Sequence, residues 1–297
     1  MVWSISTNDK LEPKLISSST PAPKLLKYSH STLDPSSQYI EMTSIPQYVA
    51  GLELNPKAFI KQIEETLSVK GIDREFLELF EILTVFKLGA INSNETTITK
   101  LNKLFKTKTS NTYLYRYAQT DLDEAVALTH LITELSRIFK EAKTKANIIL
   151  QIMGTQSQPS AELIYYLASL CEDLYIYKPQ VVSAIFDMKY LILIDIKSLP
   201  KLDKAKEYVQ TLSLDIPKEI DNTIQCMNAV LMSKKIERYL IIQNYLKTQI
   251  YEGTLQRQLL DIQKENGDKW IETFVKPKGD LLDIKSCELK SVYDLQY

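Results

Sequence analysis

The chain has 297 residues, 44% hydrophobic and 25% charged, a composition typical of a globular protein with one large or two small domains. Its 36 basic and 37 acidic residues nearly cancel, so affinity for nucleic acid would require a local basic patch. Three cysteines without ligand spacing, two distant histidines and no apolar run of about 18 residues argue against a disulfide scaffold, a metal site and a membrane span.

The first 54 residues are predicted to form an extended, partly disordered N-terminal arm. They hold five of the eleven prolines and the polar run Ser17–Thr20. Such a stretch buries too little apolar surface to offset the entropy lost when it becomes ordered. The candidate anchors of this arm on the folded body are Tyr39, Ile40, Ile45 and Tyr48.

Three helices and one strand are predicted between residues 55 and 105. Asn55–Pro56 predicts a helix start and Gly71 its end, because Asn is a preferred N-cap, Pro fits the first turn and Gly closes helices. A second helix is predicted to begin at Asp73. Residues 84–90 form a short, partly β-branched apolar run that predicts a strand, and a third helix follows over 94–105.

Strands and helices then alternate along the chain. Strands are predicted over 112–117, 147–152, 174–177 and 190–194, and helices over 120–143 and 160–170. This alternation predicts an α/β fold in which strands pair in parallel through crossover helices. The last two strands have no helix between them, so we expect them to pair antiparallel as a terminal hairpin on the sheet.

Only helices are predicted after Pro200, over 215–251 and 255–274, followed by a weakly patterned tail at 276–297. The first of these helices is apolar over more than one face, which either packing on the sheet domain or a protein–protein surface explains. The sequence therefore predicts three regions: the arm 1–54, an α/β domain 55–199, and a helical extension with its tail, 200–297.

The βα order with a terminal antiparallel hairpin is that of class I, Rossmann-like methyltransferases. Residues 147–197 resemble the C-terminal half of FtsJ-type RNA cap ribose 2′-O-methyltransferases, because Lys178-Pro179 and Tyr190 keep the spacing of that family. Residues 84–101 resemble the first strand of that family and its ligand loop. The resemblance covers about residues 74–197 and implies a truncated methyltransferase sheet.

The resemblance also implies that the catalytic groups are lost. Family members activate the ribose hydroxyl with a Lys-Asp-Lys-Glu tetrad, in which carboxylates position a lysine of depressed pKa. The corresponding positions of this sequence carry Glu78 for the first lysine, Gln151 for the second and Met188 for the glutamate. The strand expected to carry the aspartate, Tyr115–Tyr117, is followed by no acid before Asp121.

The cofactor loop of the family is reduced in the same way. Family members bind S-adenosylmethionine with a glycine-rich loop that lets the backbone approach the ligand. The remnant loop here is Leu88, Gly89, Ala90 and Asn92, with a single glycine. We therefore expect no cofactor. The alternative is a divergent, active, S-adenosylmethionine-dependent 2′-O-methyltransferase whose base has moved to Lys178 or Lys189.

A basic, tyrosine-rich segment between Thr96 and Thr120 contains no acid. Basic side chains interleaved with aromatic ones suit a phosphate backbone and stacked bases, whereas many lysine-rich helix faces are simply solvated. The candidate RNA-binding residues are Lys100, Lys103, Lys106, Lys108 and Arg116, together with Lys178.

The layout is similar to that of the non-catalytic small subunit of poxvirus-type mRNA capping enzymes. This resemblance implies a regulatory or structural subunit that stimulates or stabilises a guanine-N7 methyltransferase partner in a heterodimer. It implies a cytoplasmic setting, in a viral factory or virion, without metal or membrane. A second alternative is an RNA-binding accessory protein.

Overall fold

The computed structural model describes residues 1–21, 23–24, 26, 56–105, 111–117, 123–184, 186–202, 204–205, 207–248 and 254–275. Seven strands lie within these residues: β1 Val2–Ile5, β2 Ile16–Ser18, β3 Thr112–Tyr115, β4 Asn147–Ile152, β5 Cys171–Tyr177, β6 Lys189–Ile196 and β7 Tyr208–Thr211. The helices of the same residues are α1 Pro56–Leu67, α2 Arg74–Val85, α3 Thr96–Leu104, α4 Glu124–Glu141, α5 Gln158–Ser169, α6 Lys218–Thr248 and α7 Thr254–Trp270, with a π-helical turn at Ile271–Val275.

A five-stranded sheet with the order β1-β5-β6-β4-β3 forms the centre of the fold. Strands β3 and β4 pair in parallel, whereas β6 lies antiparallel between β4 and β5. The predicted α/β fold and the antiparallel hairpin are therefore confirmed, whereas the predicted parallel pairing holds for β3 with β4 but not for β4 with β5, because β6 lies between them. A separate two-stranded sheet pairs β2 with β7.

Helices cover both faces of the five-stranded sheet, because successive side chains of a strand point to opposite faces. Ile149, Tyr190 and Ile192 pack in one apolar cluster with α1, α2, α3 and α7, which we call the front layer. Leu150 and Leu191 pack in the other cluster with α4, α5 and the first half of α6, which we call the back layer. Each strand therefore presents alternate residues to two different environments.

The prediction of a strand at residues 84–90 is wrong. Helix α2 runs through Val85, and the amide of Leu88 still donates to the carbonyl of Leu83 at 3.0 Å. The last turn of α2 is buried on the front layer, so packing overrides the β preference of Thr84 and Val85. Only Ile91 forms a parallel bridge, with Thr112 at the start of β3.

Two further segments differ from the prediction. Strand β1 lies in the predicted arm, yet it pairs antiparallel with β5 and buries Trp3 and Ile5. Strand β7 lies in the region predicted to be helical only. Both strands pair with partners far along the chain, and local periodicity carries no signal for such pairing. The proposed anchors Tyr39 to Tyr48, residues 27–55 as a whole, and the tail 276–297 lie outside the described residues.

The buried carboxylate of Glu81 joins α2 to β5 and to the end of α7. It accepts hydrogen bonds from the Tyr177 hydroxyl at 2.8 Å, the Trp270 indole at 2.7 Å and the Gln180 amide at 2.8 Å. Burial nevertheless raises the pKa of Glu81 above its ordinary value of 4.5, and these donors offset only part of that rise.

The raised pKa predicts a pH dependence of stability that Glu81→Gln removes. A carboxyl group whose pKa is higher in the folded than in the unfolded chain destabilises the fold as it ionises. The stability of the wild type should therefore fall, relative to Glu81→Gln, as the pH rises from about 4.5 through the raised pKa of Glu81. Urea unfolding across this pH range measures the difference.

Glu272→Gln, at an exposed glutamate of the π-helical turn, is the matched control and should track the wild type at every pH. A stability difference between wild type and Glu81→Gln that stays constant with pH would contradict the assignment.

Candidate functional site

Gln151 and Met188, two of the positions matched to the methyltransferase tetrad, are in contact in the front layer. Gln151 on β4 is the register partner of Tyr190 on β6, and its Nε2 lies against the sulfur of Met188. Its Oε1 accepts a hydrogen bond from the amide of Tyr117 at 2.8 Å. Gln151 and Met188 are 3% and 1% exposed, so neither side chain faces solvent.

The third position, Glu78, joins the same group through Tyr190. The Tyr190 hydroxyl donates to Glu78 Oε2 at 2.7 Å, and Arg74 Nε donates to Oε1 at 2.8 Å. We call Glu78, Tyr117, Gln151, Met188 and Tyr190 the Gln151 cluster. The structure thus connects, through Tyr190, the three positions that the resemblance matches to the tetrad, although they lie far apart in the sequence.

The chemistry of the Gln151 cluster is that of a structural polar core. None of its five side chains is an amine, and the amide of Gln151 cannot take up a proton near neutral pH. Burial raises the pKa of Tyr190 well above its ordinary value of 10, and it raises that of Tyr117 too. The cluster therefore lacks the lysine that the resemblance implies as the base, and its one carboxylate, Glu78, accepts hydrogen bonds from Tyr190 and Arg74.

Arg116, which directly follows β3, forms two ion pairs. Its guanidinium contacts the carboxylates of Glu75 on α2 and Glu95 before α3, and its side chain is only 18% exposed. Arg116 was predicted to bind RNA, but these two carboxylates hold it within the protein. Asp121, the nearest acid after the expected aspartate strand, lies outside the described residues.

The remnant cofactor loop is closed by hydrogen bonds to the protein itself. The Ile91 amide donates to Asn102 Oδ1 at 2.8 Å, and Asn102 Nδ2 donates back to the Ile91 carbonyl at 2.8 Å. The Asn92 amide donates to the Thr112 carbonyl at 2.7 Å, and Leu88 is buried. The backbone groups of Ile91 and Asn92 therefore have their hydrogen-bond partners within the protein.

The predicted RNA-binding lysines have different environments. Lys103 on α3 is exposed, whereas Lys100 donates to the Gly71 carbonyl and is half-buried. Lys178 is buried at the end of β5, where its ammonium donates to the carbonyls of Phe186 and Met188. Lys106 and Lys108 lie outside the described residues. Among the described candidates, Lys103 alone is fully exposed.

The role of Glu124, in the first turn of α4, has no signal in the sequence. Its carboxylate binds the N-terminal end of α5, accepting from the hydroxyls of Ser157 and Ser160, each at 2.6 Å, and from the Ser157 amide at 2.9 Å. A Cβ on Gly154 would lie 2.3 Å from Glu124 Oε2, so the glycine makes room for this contact. The sequence places serines at the start of α5, but it does not indicate which distant carboxylate binds them.

No helix of the described residues is both long and apolar enough to cross a membrane. Within the same part of the chain, no three His, Cys, Asp or Glu side chains are grouped as metal ligands.

The fold and the cluster define a mixed α/β protein whose central sheet carries a buried polar core. No family model matches the sequence. The chain is 31% identical over 312 aligned positions to "Uncharacterized protein R383" of Acanthamoeba polyphaga mimivirus, and the match covers 92% of this chain and 89% of that protein. At this identity and coverage the chain belongs to the same family as this viral protein.

The ion pairs of Arg116 predict a larger stability loss than a surface pair does. Arg116→Met leaves Glu75 and Glu95 without their cation in a partly buried site, and we expect a cost of about 2 kcal/mol in the free energy of unfolding. Arg137→Met removes the two ion pairs of an arginine that is 53% exposed and should cost less than about 1 kcal/mol. Chemical denaturation of both variants tests this, and equal costs would contradict the structural role of Arg116.

Proposed function

We propose that this protein is a catalytically degenerate FtsJ-type methyltransferase that acts as a regulatory or structural subunit in mRNA capping. Its role would be to stabilise or stimulate a guanine-N7 methyltransferase partner. The observation that carries the proposal is the Gln151 cluster: the three positions matched to the catalytic tetrad converge, as the resemblance requires, but hold Glu78, Gln151 and Met188 instead of two lysines and a glutamate.

The sheet supports the same proposal. Strands β3 and β4 are parallel and are followed by the antiparallel β5–β6 hairpin, which is the order that the resemblance implies. Helix α2 occupies the residues matched to the start of the family's first strand, through Val85. The parallel bridge of the adjacent loop, between Ile91 and Thr112 of β3, is what joins this segment to the sheet. The self-bonded loop at Ile91 and Asn92 supports loss of the cofactor site as well.

The alternative of a displaced catalytic lysine receives less support from the geometry. Lys189 is the first residue of β6, and its neighbours Met188 and Tyr190 both pack in the front layer. Because side chains alternate along a strand, the Lys189 side chain points to the back layer, away from the Gln151 cluster. The Lys178 ammonium donates to two backbone carbonyls. Neither lysine therefore takes the place of the missing base beside Gln151.

Helix α6 supports a role in protein assembly. Its first turns bury Ile220, Ile224 and Met227 in the back layer, whereas Leu240, farther along the same helix, is 52% exposed. The relationship to a mimivirus protein supports the expected viral setting, a cytoplasmic factory or a virion.

Co-expression with the guanine-N7 methyltransferase of the same genome tests the proposal. We expect a stable heterodimer and a several-fold increase in N7 methylation of capped RNA over the partner alone. Leu240→Asp should weaken the complex, because a charge replaces an exposed apolar side chain of α6. A folded Gln151→Lys variant should stimulate N7 methylation as the wild type does, because we assign no catalytic role to the Gln151 cluster.

Size-exclusion chromatography and the N7-methylation rate are the two measurements. A partner that neither binds this protein nor responds to it would overturn the proposed function.

A further inference from the structure

A small cavity lies at the end of the β5–β6 hairpin, between the sheet and α6. Its volume is about 20 Å³, and its polar lining consists of Gln156, Lys178, Asp187, Lys189 and Asn228. Lys178 and Lys189 are only 4% and 3% exposed. Two ammonium groups buried at one cavity are unusual, because burying a charge is costly unless a partner compensates it.

The cavity has more hydrogen-bond donors than it uses. The Lys189 ammonium, which has three N–H groups, donates to the Asp187 carbonyl at 3.0 Å. One N–H of the Asn228 amide donates to the Thr155 carbonyl at 2.7 Å, which leaves the second. The Gln156 side chain, which also borders the cavity, has no hydrogen-bond partner among the described residues.

The carboxylates near Lys189 are bound to other groups. Asp187 pairs with Lys235 at 3.1 Å, and Glu124 accepts from the serines at the start of α5. Within the described part of the chain, no carboxylate lies within ion-pair distance of the Lys189 ammonium. Burial lowers the pKa of Lys189, and the more distant charges of Asp187 and Glu124 oppose that shift. An anion is the species that would complete this environment.

We propose that this cavity binds a terminal phosphate group through Lys189, with Gln156 and Asn228 as further donors. Lysine binds phosphate as a point charge, and amide N–H groups add direction. The cavity exceeds the roughly 10–15 Å³ that one water needs, yet it is too small for a sugar or a base. It has room for one or two oxygens of a phosphate group that enters end-on, from free phosphate or from the 5′ end of an RNA.

This site is separate from the Gln151 cluster. Lys189 faces the back layer, whereas Met188 and Tyr190 face the front layer. The proposal therefore does not depend on the proposed function, and its test uses neither S-adenosylmethionine nor a protein partner.

Calorimetric titration with inorganic phosphate at constant ionic strength tests the site. The wild type should bind phosphate saturably. Lys189→Met keeps the length of the side chain without its charge and should weaken binding at least about tenfold, because a hydrogen bond to a charged group is lost. Lys140→Met, at an exposed lysine of α4, is the matched control and should bind as the wild type does.

Gln156→Leu is a second variant, which alters a partly exposed side chain outside the core. It should weaken phosphate binding several-fold even if Lys189→Met fails to fold.

Competition with RNA identifies the source of the phosphate group. A 5′-phosphorylated oligoribonucleotide should displace phosphate if the source is an RNA end, whereas the same oligonucleotide with a 5′-hydroxyl should not. If neither displaces it, the source is free phosphate. Absence of saturable phosphate binding, or equal binding by the wild type, Lys189→Met and Gln156→Leu, overturns the proposal.

Discussion

The antiparallel placement of β6 between β4 and β5 is the constraint on which both candidate sites depend. It puts Tyr190 opposite Gln151, so that a buried amide, a thioether and a phenol meet on the front face. The alternation of side chains along β6 sends Lys189 to the back face. A shift of one residue in this register would exchange these environments and bury Lys189 beside Gln151.

Buried and half-buried carboxylates hold the surrounding helices in place. Glu81 joins α2 to Tyr177 and Trp270, Glu78 joins the same helix to Tyr190, and Glu124 joins α4 to α5. In the back layer, Glu162 accepts from Thr211 Oγ1 at 2.8 Å and binds β7 to α5. A buried polar group is costly unless it is hydrogen-bonded, so these contacts favour a single arrangement of the layers.

The sequence was sufficient for elements with strong local signals. The N-cap at Asp73, the amphipathic pattern of α4 and the apolar runs of β4 and β6 lie where they were predicted. It was insufficient for β1 and β7, whose pairing is long-range, and for Thr84–Val85, where burial decides against strand. The positions Glu78, Gln151 and Met188 came from the resemblance, and their connection through Tyr190 is visible only in the fold. The pairing of Arg116 and the lining of the Lys189 cavity had no sequence signal, because the partners are distant in the chain.

We propose that the skeleton of a methyl-transfer fold persists here without the groups that hold the methyl donor. Calorimetric titration of the purified protein with S-adenosylmethionine tests it most directly. The closed loop around Ile91 and Asn92 predicts no saturable heat of binding. Saturable binding with micromolar affinity, lost when the Asn102 contacts are altered, would contradict the account and would favour an active enzyme.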